Sequence, residues 1–142
     1  MIILDTNVLS ALMRPQSEPR VVEWADELSL ESIWVTSITT FEVWFGIELL
    51  PKGRRRRQLE DAFAETLEGD LGDRVLTFDQ AAARAGARIA AERRRIGRPV
   101  DVRDVQIAGI VFAHDATLAT RNVGHFEGLG LRLVNPWSSR HR

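Results

Sequence analysis

The sequence contains no cysteine, which excludes a disulfide framework, a thiolate nucleophile and a cysteine-based zinc site. A metal, if one binds, must sit on oxygen or imidazole. Lysine is almost missing too: eighteen basic residues are arginine and the remaining one is Lys52, so lysine chemistry has a single candidate. The longest apolar run, Ile107 to Ala113 with Gly109 inside it, has seven residues, against the roughly 18 that span a bilayer. The opening Met1-Ile2-Ile3-Leu4-Asp5 lacks the basic head and small-residue cleavage site of a signal peptide. The expected compartment is therefore the cytoplasm, without a membrane. With a net charge of −1, a global field that attracts nucleic acid is also lacking, and local charge has to decide.

What is present is 142 residues, 44% hydrophobic and 27% charged, which predicts one domain over residues 1–142. Ile2-Ile3-Leu4 reads as a strand buried on both faces, followed by helical spacing from Thr6 to Met13 that Arg14-Pro15 through Pro19 ends. A second amphipathic segment runs from Arg20 to Leu28. Ile33-Trp34-Val35 predicts a second strand. Thr39-Thr40-Phe41-Glu42 then matches a capping box, opening a helix from Phe41 to Leu50 that stops at Pro51. Lys52 to Leu67 is helical by composition, and Gly69 to Gly72 breaks it. Val75-Leu76 with Phe78 reads as a third strand. Asp79 caps a helix from Gln80 to Ile96, and Val102 to His114 is apolar enough to be a buried helix. Thr117 to Thr120 and Leu131 to Val134 complete five strands. Strands alternating with helices imply an α/β domain with a mainly parallel sheet, whose ligands gather at the carboxyl ends of the strands.

That rule draws attention to acids just after strands or at helix starts. Asp5 ends the first strand, Glu42 lies at the third helix and Asp104 in the first turn of the buried one. Each has an ordinary structural reading as a cap or a dipole partner. Asn122, after the fourth strand, reads equally as a loop residue. Together, however, three carboxylates at one sheet edge repel one another and call for a cation. Oxygen ligands suit Mg²⁺, with Mn²⁺ as a second fit, and the matched chemistry is phosphodiester hydrolysis by a metal-activated water.

Met1-Ile-Ile-Leu-Asp-Thr-Asn7, Thr39-Thr-Phe-Glu42, Asp104-Val-Gln-Ile-Ala-Gly109 and Ala119-Thr-Arg-Asn-Val-Gly-His-Phe126 resemble, in order, the four motifs of a PIN domain. Phe41-Glu42-Val-Trp-Phe-Gly46, the basic stretch after Pro51 and Asn135-Pro136-Trp137 make the chain most similar to VapC ribonuclease toxins of the FitB-like branch. The resemblance implies a three-layer α/β/α fold around a five-stranded parallel sheet. It also implies Mg²⁺-dependent endoribonuclease activity on an RNA substrate, a cognate VapB-type antitoxin and a homodimer. Asp5, Glu42 and Asp104 match the family's acidic, metal-holding positions. Thr6 matches the hydroxyl after the first acid, and Thr120 the small hydroxyl residue after the fourth strand. Asn122 falls where many members carry a fourth acid and is kept in the catalytic set. Asp101, three residues before Asp104, reads as the helix cap.

Lys52 with Arg54, Arg55, Arg56 and Arg57 forms a dense basic stretch. It reads either as a solvated helix start, with Arg56–Glu60 and Arg57–Asp61 pairs, or as an RNA phosphate contact; basic charge is disfavoured at a helix N-terminus, which supports the second reading. Arg93, Arg94, Arg95 and Arg98 form another patch, at a helix end where the dipole favours it. Trp24, Trp34, Trp44 and Trp137 suit base stacking, core packing or a dimer contact. His114, His125 and His141 show no metal-ligand spacing and are assigned no catalytic role.

Other functions fit less well. An aspartyl phosphatase needs a second acid two residues after the first and meets Asn7; a phosphate-accepting receiver needs a lysine near its site, and Lys52 lies elsewhere. A non-catalytic RNA- or protein-binding module is the alternative that Asn122 favours and the three acids oppose.

Overall fold

A computed structural model describes residues 1–14, 16 and 18–138. Five short strands, β1 (Ile2–Leu4), β2 (Ile33–Thr36), β3 (Val75–Leu76), β4 (Thr117–Ala119) and β5 (Arg132–Val134), form one sheet in the order β3-β2-β1-β4-β5. All neighbours are parallel, with Ile3 opposite both Trp34 and Leu118. Strand order reverses at β1, whose next strand in sequence lies on one side and β4 on the other. The crevice at the carboxyl ends of β1 and β4 is the place where such sheets bind ligands.

Successive strand residues face opposite layers. Ile3 and Leu118 pack with Ile107, Ile110 and Ile89 of α5 (Gln80–Arg95) and α6 (Val102–Ala113). Leu4 and Ala119, one residue on, pack instead with Val8, Val21, Ile47 and Phe63 of α1 (Thr6–Leu12), α2 (Pro19–Asp26), α3 (Ser37–Glu48) and α4 (Arg54–Glu65). A last short helix, α7, spans Val123–Phe126. The result is the three-layer α/β/α sandwich expected from the alternation of elements.

Several boundaries differ from the sequence reading, each for a local reason. α2 starts at Pro19, whose missing N–H suits a first helical position. The expected capping box does not form: Thr36, still extended at the end of β2, caps α3 by accepting from Thr39 N at 3.1 Å. The chain enters the helix directly from the strand, so Glu42 lies well inside α3 with its side chain released from capping. α4 ends at Glu65 and passes into one wider turn, closed by Leu71 N donating to Thr66 O at 2.9 Å. α6 is buried along Val105, Ile107, Ala108, Gly109, Ile110 and Val111, but Val102 and Phe112 are exposed, so it is not apolar-covered all round. Asp79 and Asp101 do cap their helices, accepting from Ala82 N and Arg103 N.

The α5–α6 crossing is close because of glycine. A Cβ on Gly109 would lie 2.5 Å from Ala82 O and 2.9 Å from Gly86 N, nearer than any real contact allows.

Candidate active site

Asp5 stands at the carboxyl end of β1 and serves two roles at once. It caps α1, with Oδ1 accepting from Thr6 N at 2.9 Å, and its Oδ2 accepts from the Thr120 hydroxyl at 2.8 Å. Asn7 Nδ2 stands 3.5 Å from the same oxygen. The carboxylate is only 6% exposed, and burial pushes its pKa above the ordinary aspartate value; the two hydrogen bonds oppose this and the charge of Glu42 adds to it.

Glu42 reaches the same edge from the second turn of α3. The Thr6 hydroxyl donates to its Oε1 at 2.5 Å and stands 3.2 Å from the Thr39 hydroxyl. Thr6 thus ties the first two acids together across α1 and α3. The other Glu42 oxygen is held by Arg103, with Nη1 to Oε2 at 3.2 Å, and the Arg103 guanidinium lies 5.4 Å from the Phe41 ring centroid. Asp104 comes from the first turn of α6. Burial raises its pKa, and repulsion from Asp5, Asp101 and Glu42 adds to the rise, so these acids share one electrostatic field. Its Oδ2 lies 3.4 Å from His125 Nδ1, beside a cleft of about 340 Å³ lined by Arg93, Asp101, Gly124 and His125 among others.

Asp5, Glu42 and Asp104 are therefore brought to one edge, and Thr6 and Thr120 hold two of them. Asn122 is exposed, and it adds to the site its backbone N–H, which donates to Thr120 Oγ1 at 3.0 Å. His125, assigned no catalytic role from the sequence, is the residue that meets Asp104, a contact that sequence reasoning did not foresee. Arg103 was not singled out by sequence either. Its only signal was position, one residue before Asp104. His141 lies outside the described residues.

The basic stretch divides. Arg56 binds Glu48 at 2.5 Å, Glu60 at 3.4 Å and Leu50 O at 3.4 Å, and so closes the α3–α4 hairpin instead of facing a ligand. Among the described residues the expected Arg57–Asp61 pair is not formed. Arg54, Arg55 and Arg57 are exposed. Glu48, which anchors this end, is six residues beyond Glu42, about 9 Å of helical rise. In the other basic patch, Arg93 Nε donates to Arg98 O at 3.1 Å and ties the end of α5 to its loop. Trp34 packs on one face of the sheet and Trp24 on the other; Trp44 meets Phe63 edge to face at 4.8 Å.

Hard carboxylate oxygens, those of Asp5 and Asp104 with raised pKa values, form a donor set that a divalent cation would relieve. Two of the three acids already lean on cationic or cationisable side chains, Arg103 and His125. As the side chains lie, no group of three His, Asp or Glu residues among those described stands close enough to hold an ion. The residues fit Mg²⁺ or Mn²⁺ in chemistry and charge, provided Glu42 and Asp104 turn from these partners.

A doubly wound sheet with acids gathered at its switch point defines a class, and the family model for the PIN domain matches residues 2–127. The chain belongs to the PIN domain family. Within it, the chain is 37% identical to the VapC ribonuclease Y4jK of Sinorhizobium fredii, over 96% of this chain and 98% of that one. It is 35% identical to the toxin FitB of Neisseria gonorrhoeae, over 96% and 99%. A solved structure of FitAB bound to an IR36 DNA fragment superposes with a TM-score of 0.91 at 35% identity, covering 99% of both chains. Among the described residues no helix is long and apolar enough to cross a membrane.

Proposed function

We propose that this protein is the toxin of a toxin–antitoxin pair and a Mg²⁺-dependent endoribonuclease. The observation that carries the reading is the meeting of Asp5, Glu42 and Asp104, from three separate elements, at the switch point of the sheet. Burial and mutual repulsion hold two of them above the ordinary aspartate range. Relatives named as a VapC ribonuclease and a FitB toxin support it.

In this reading Asp5, Glu42 and Asp104 hold the ion. Bound Mg²⁺ supplies charge neutralisation at the scissile phosphate and lowers the pKa of an attacking water. Thr120 and Thr6 fix the carboxylate rotamers, and hydrogen-bond partners that orient a metal-holding side chain in this way typically matter about 10–100-fold. Asn122, in place of a fourth acid, contributes an amide at the rim. Arg54, Arg55 and Arg57 supply a more distant RNA backbone contact.

The FitAB and VapBC assemblies among the solved relatives support a VapB-type antitoxin as the partner. Phe41 and Phe45 of α3 and Leu49, its C-cap, form an exposed stripe at i, i+4 and i+8, with Phe41 and Phe45 stacked at 6.0 Å. An exposed apolar stripe of this kind can meet its own copy about a twofold axis, the commonest symmetry of soluble oligomers, so it supports a homodimer.

Purified chain, freed of any co-purifying partner, is incubated with a panel of structured RNAs in Mg²⁺ or EDTA. Cleavage in Mg²⁺ alone, lost in Asp5→Asn and Asp104→Asn, is the expected result. Cleavage that survives EDTA, or is unchanged in both variants, overturns the reading.

A further inference from the structure

Arg121 is the residue after Thr120, at the rim of the acidic crevice. Its backbone is fixed to the site: Arg121 N donates to Asn7 Oδ1 at 3.1 Å, and Asn7 and Thr120 both approach Asp5 Oδ2. Asp5 N in turn bonds Ala119 O at 2.8 Å, so Arg121 follows two residues after the strand end that pairs beside Asp5. The exposed guanidinium does not reach for a carboxylate. It lies over the indole of Trp137, 4.7 Å from the ring centroid.

That indole is itself held. Trp137 Nε1 donates to Glu18 Oε1 at 3.0 Å, its backbone N to Asn135 Oδ1 at 2.9 Å, and its carbonyl accepts from Arg20. The Asn135-Pro136-Trp137 segment, which lies beyond the residues that the family model matches, thus straps across the start of α2 and presents one ring face to Arg121. Among the described residues Arg56, Arg103 and Arg132 pair with acids, whereas Arg121 takes part in no ion pair.

A guanidinium held over an indole face by cation–π attraction spends no N–H group on that contact, so its fork stays free to take a phosphate through two parallel hydrogen bonds. An ordered fork loses little freedom on binding. The location matters as much. Three carboxylates repel a polyanion, so a substrate whose cleaved phosphate sits among them needs a cation nearby to hold the next one.

We propose that Arg121, held over the ring of Trp137, binds the RNA phosphate adjacent to the scissile one and so positions the strand for cleavage. This rests on the ribonuclease reading, and the test separates the two.

Affinity for a short fluorescein-labelled single-stranded RNA is measured by anisotropy against salt, using the full chain in an Asp104→Asn background to prevent turnover. Arg121→Ala is expected to weaken binding about tenfold and to reduce the log–log salt slope by about 0.7, one phosphate contact on a single strand. Arg121→Lys keeps the slope, because the charge remains, but loses part of the affinity with the fork. Trp137→Leu likewise keeps the slope and weakens binding, because Arg121 is no longer held. In the active protein Arg121→Ala raises KM more than it lowers kcat.

A salt slope unaltered in Arg121→Ala, with an unchanged melting temperature, overturns the proposal. So does a variant that keeps RNA affinity but loses a co-expressed antitoxin, which would give the arginine to a protein partner. If Arg121→Ala melts early, Arg121→Gln is read by the same criteria. A parent chain that cleaves no RNA in Mg²⁺ while Arg121→Ala still lowers the slope refutes the ribonuclease reading and supports the contact; cleavage with an unaltered slope refutes the contact alone.

Discussion

Thr120 Oγ1 donates to Asp5 Oδ2 at 2.8 Å across 115 residues of sequence, and both side chains are buried. The same oxygen accepts from Asn122 N at 3.0 Å, which orients its proton toward the acid. Thr120→Val keeps the shape and removes both bonds. It should lower cleavage roughly 10–100-fold by loosening Asp5, and cost about 1–3 kcal/mol because a buried carboxylate oxygen and an N–H lose their partner. Thr120→Ser retains the hydroxyl and should keep most of the activity. Steady-state kinetics with denaturant unfolding on both variants checks this.

Asp5 and Asp104 have raised pKa values, first through burial. An acid whose folded-state pKa exceeds its unfolded one favours the fold below the unfolded pKa, and that contribution disappears as pH rises through the raised value. Both groups therefore make the metal-free protein less stable at neutral pH than in mild acid. Added Mg²⁺ should reverse the trend, since it binds the ionised form, and its affinity should rise with pH over the same window. Asp104→Asn should raise the metal-free melting temperature at pH 7 and remove the Mg²⁺ shift. Melting curves across pH 4.5 to about 8, with and without Mg²⁺, decide the matter.

Arg103 holds one oxygen of Glu42 at 3.2 Å in a partly exposed pair. Such pairs are worth about 0.2–1 kcal/mol. Arg103→Gln should therefore tighten Mn²⁺ binding by up to about fivefold, read by calorimetry, because Glu42 no longer has to leave a partner. Weaker binding would mean that Arg103 supports the site and does not compete with the ion.

Gly109 lets α6 lie against α5, with Ala82 O 2.5 Å from the place of its missing Cβ. Gly109→Ala forces the helices apart and should cost about 1–3 kcal/mol. Calorimetric melting should show a fall of several degrees. α6 also carries Asp104, so metal affinity should fall with it.

Phe45→Glu places a charge in the centre of the exposed α3 stripe. Light scattering should show a dimer for the native chain at micromolar concentration and a monomer for the variant, with an unchanged circular dichroism spectrum. A monomeric native chain removes the dimer from the proposal.

The local order of strands and helices was legible because each element carries its own period and stop signal: Ile2-Ile3-Leu4 before Asp5, the alanine-rich run from Gln80, the apolar face of α6. From that order alone a parallel sheet followed, and with it the edge where Asp5, Glu42 and Asp104 would meet. Caps were harder. Thr36 and Thr39 both suit the start of α3, and which one serves depends on how far the strand pairing of β2 with β3 extends, a contact between distant segments. Of the partners of the acids, the hydroxyls of Thr6 and Thr120 were named through the family resemblance, whereas the charged partners were not legible at all. His125 meets Asp104, Arg103 meets Glu42 and Arg121 lies on Trp137 only because the β4–α7 turn, the start of α6 and the C-terminal strap converge at one crevice. Sequence determined which charges the chain carries and which layer each element faces, since periodicity and propensity are properties of neighbours. Tertiary structure decided which acid is buried, which acids meet a basic side chain and which arginine is left over, because burial and ion pairing depend on distances between residues that the chain separates by tens of positions.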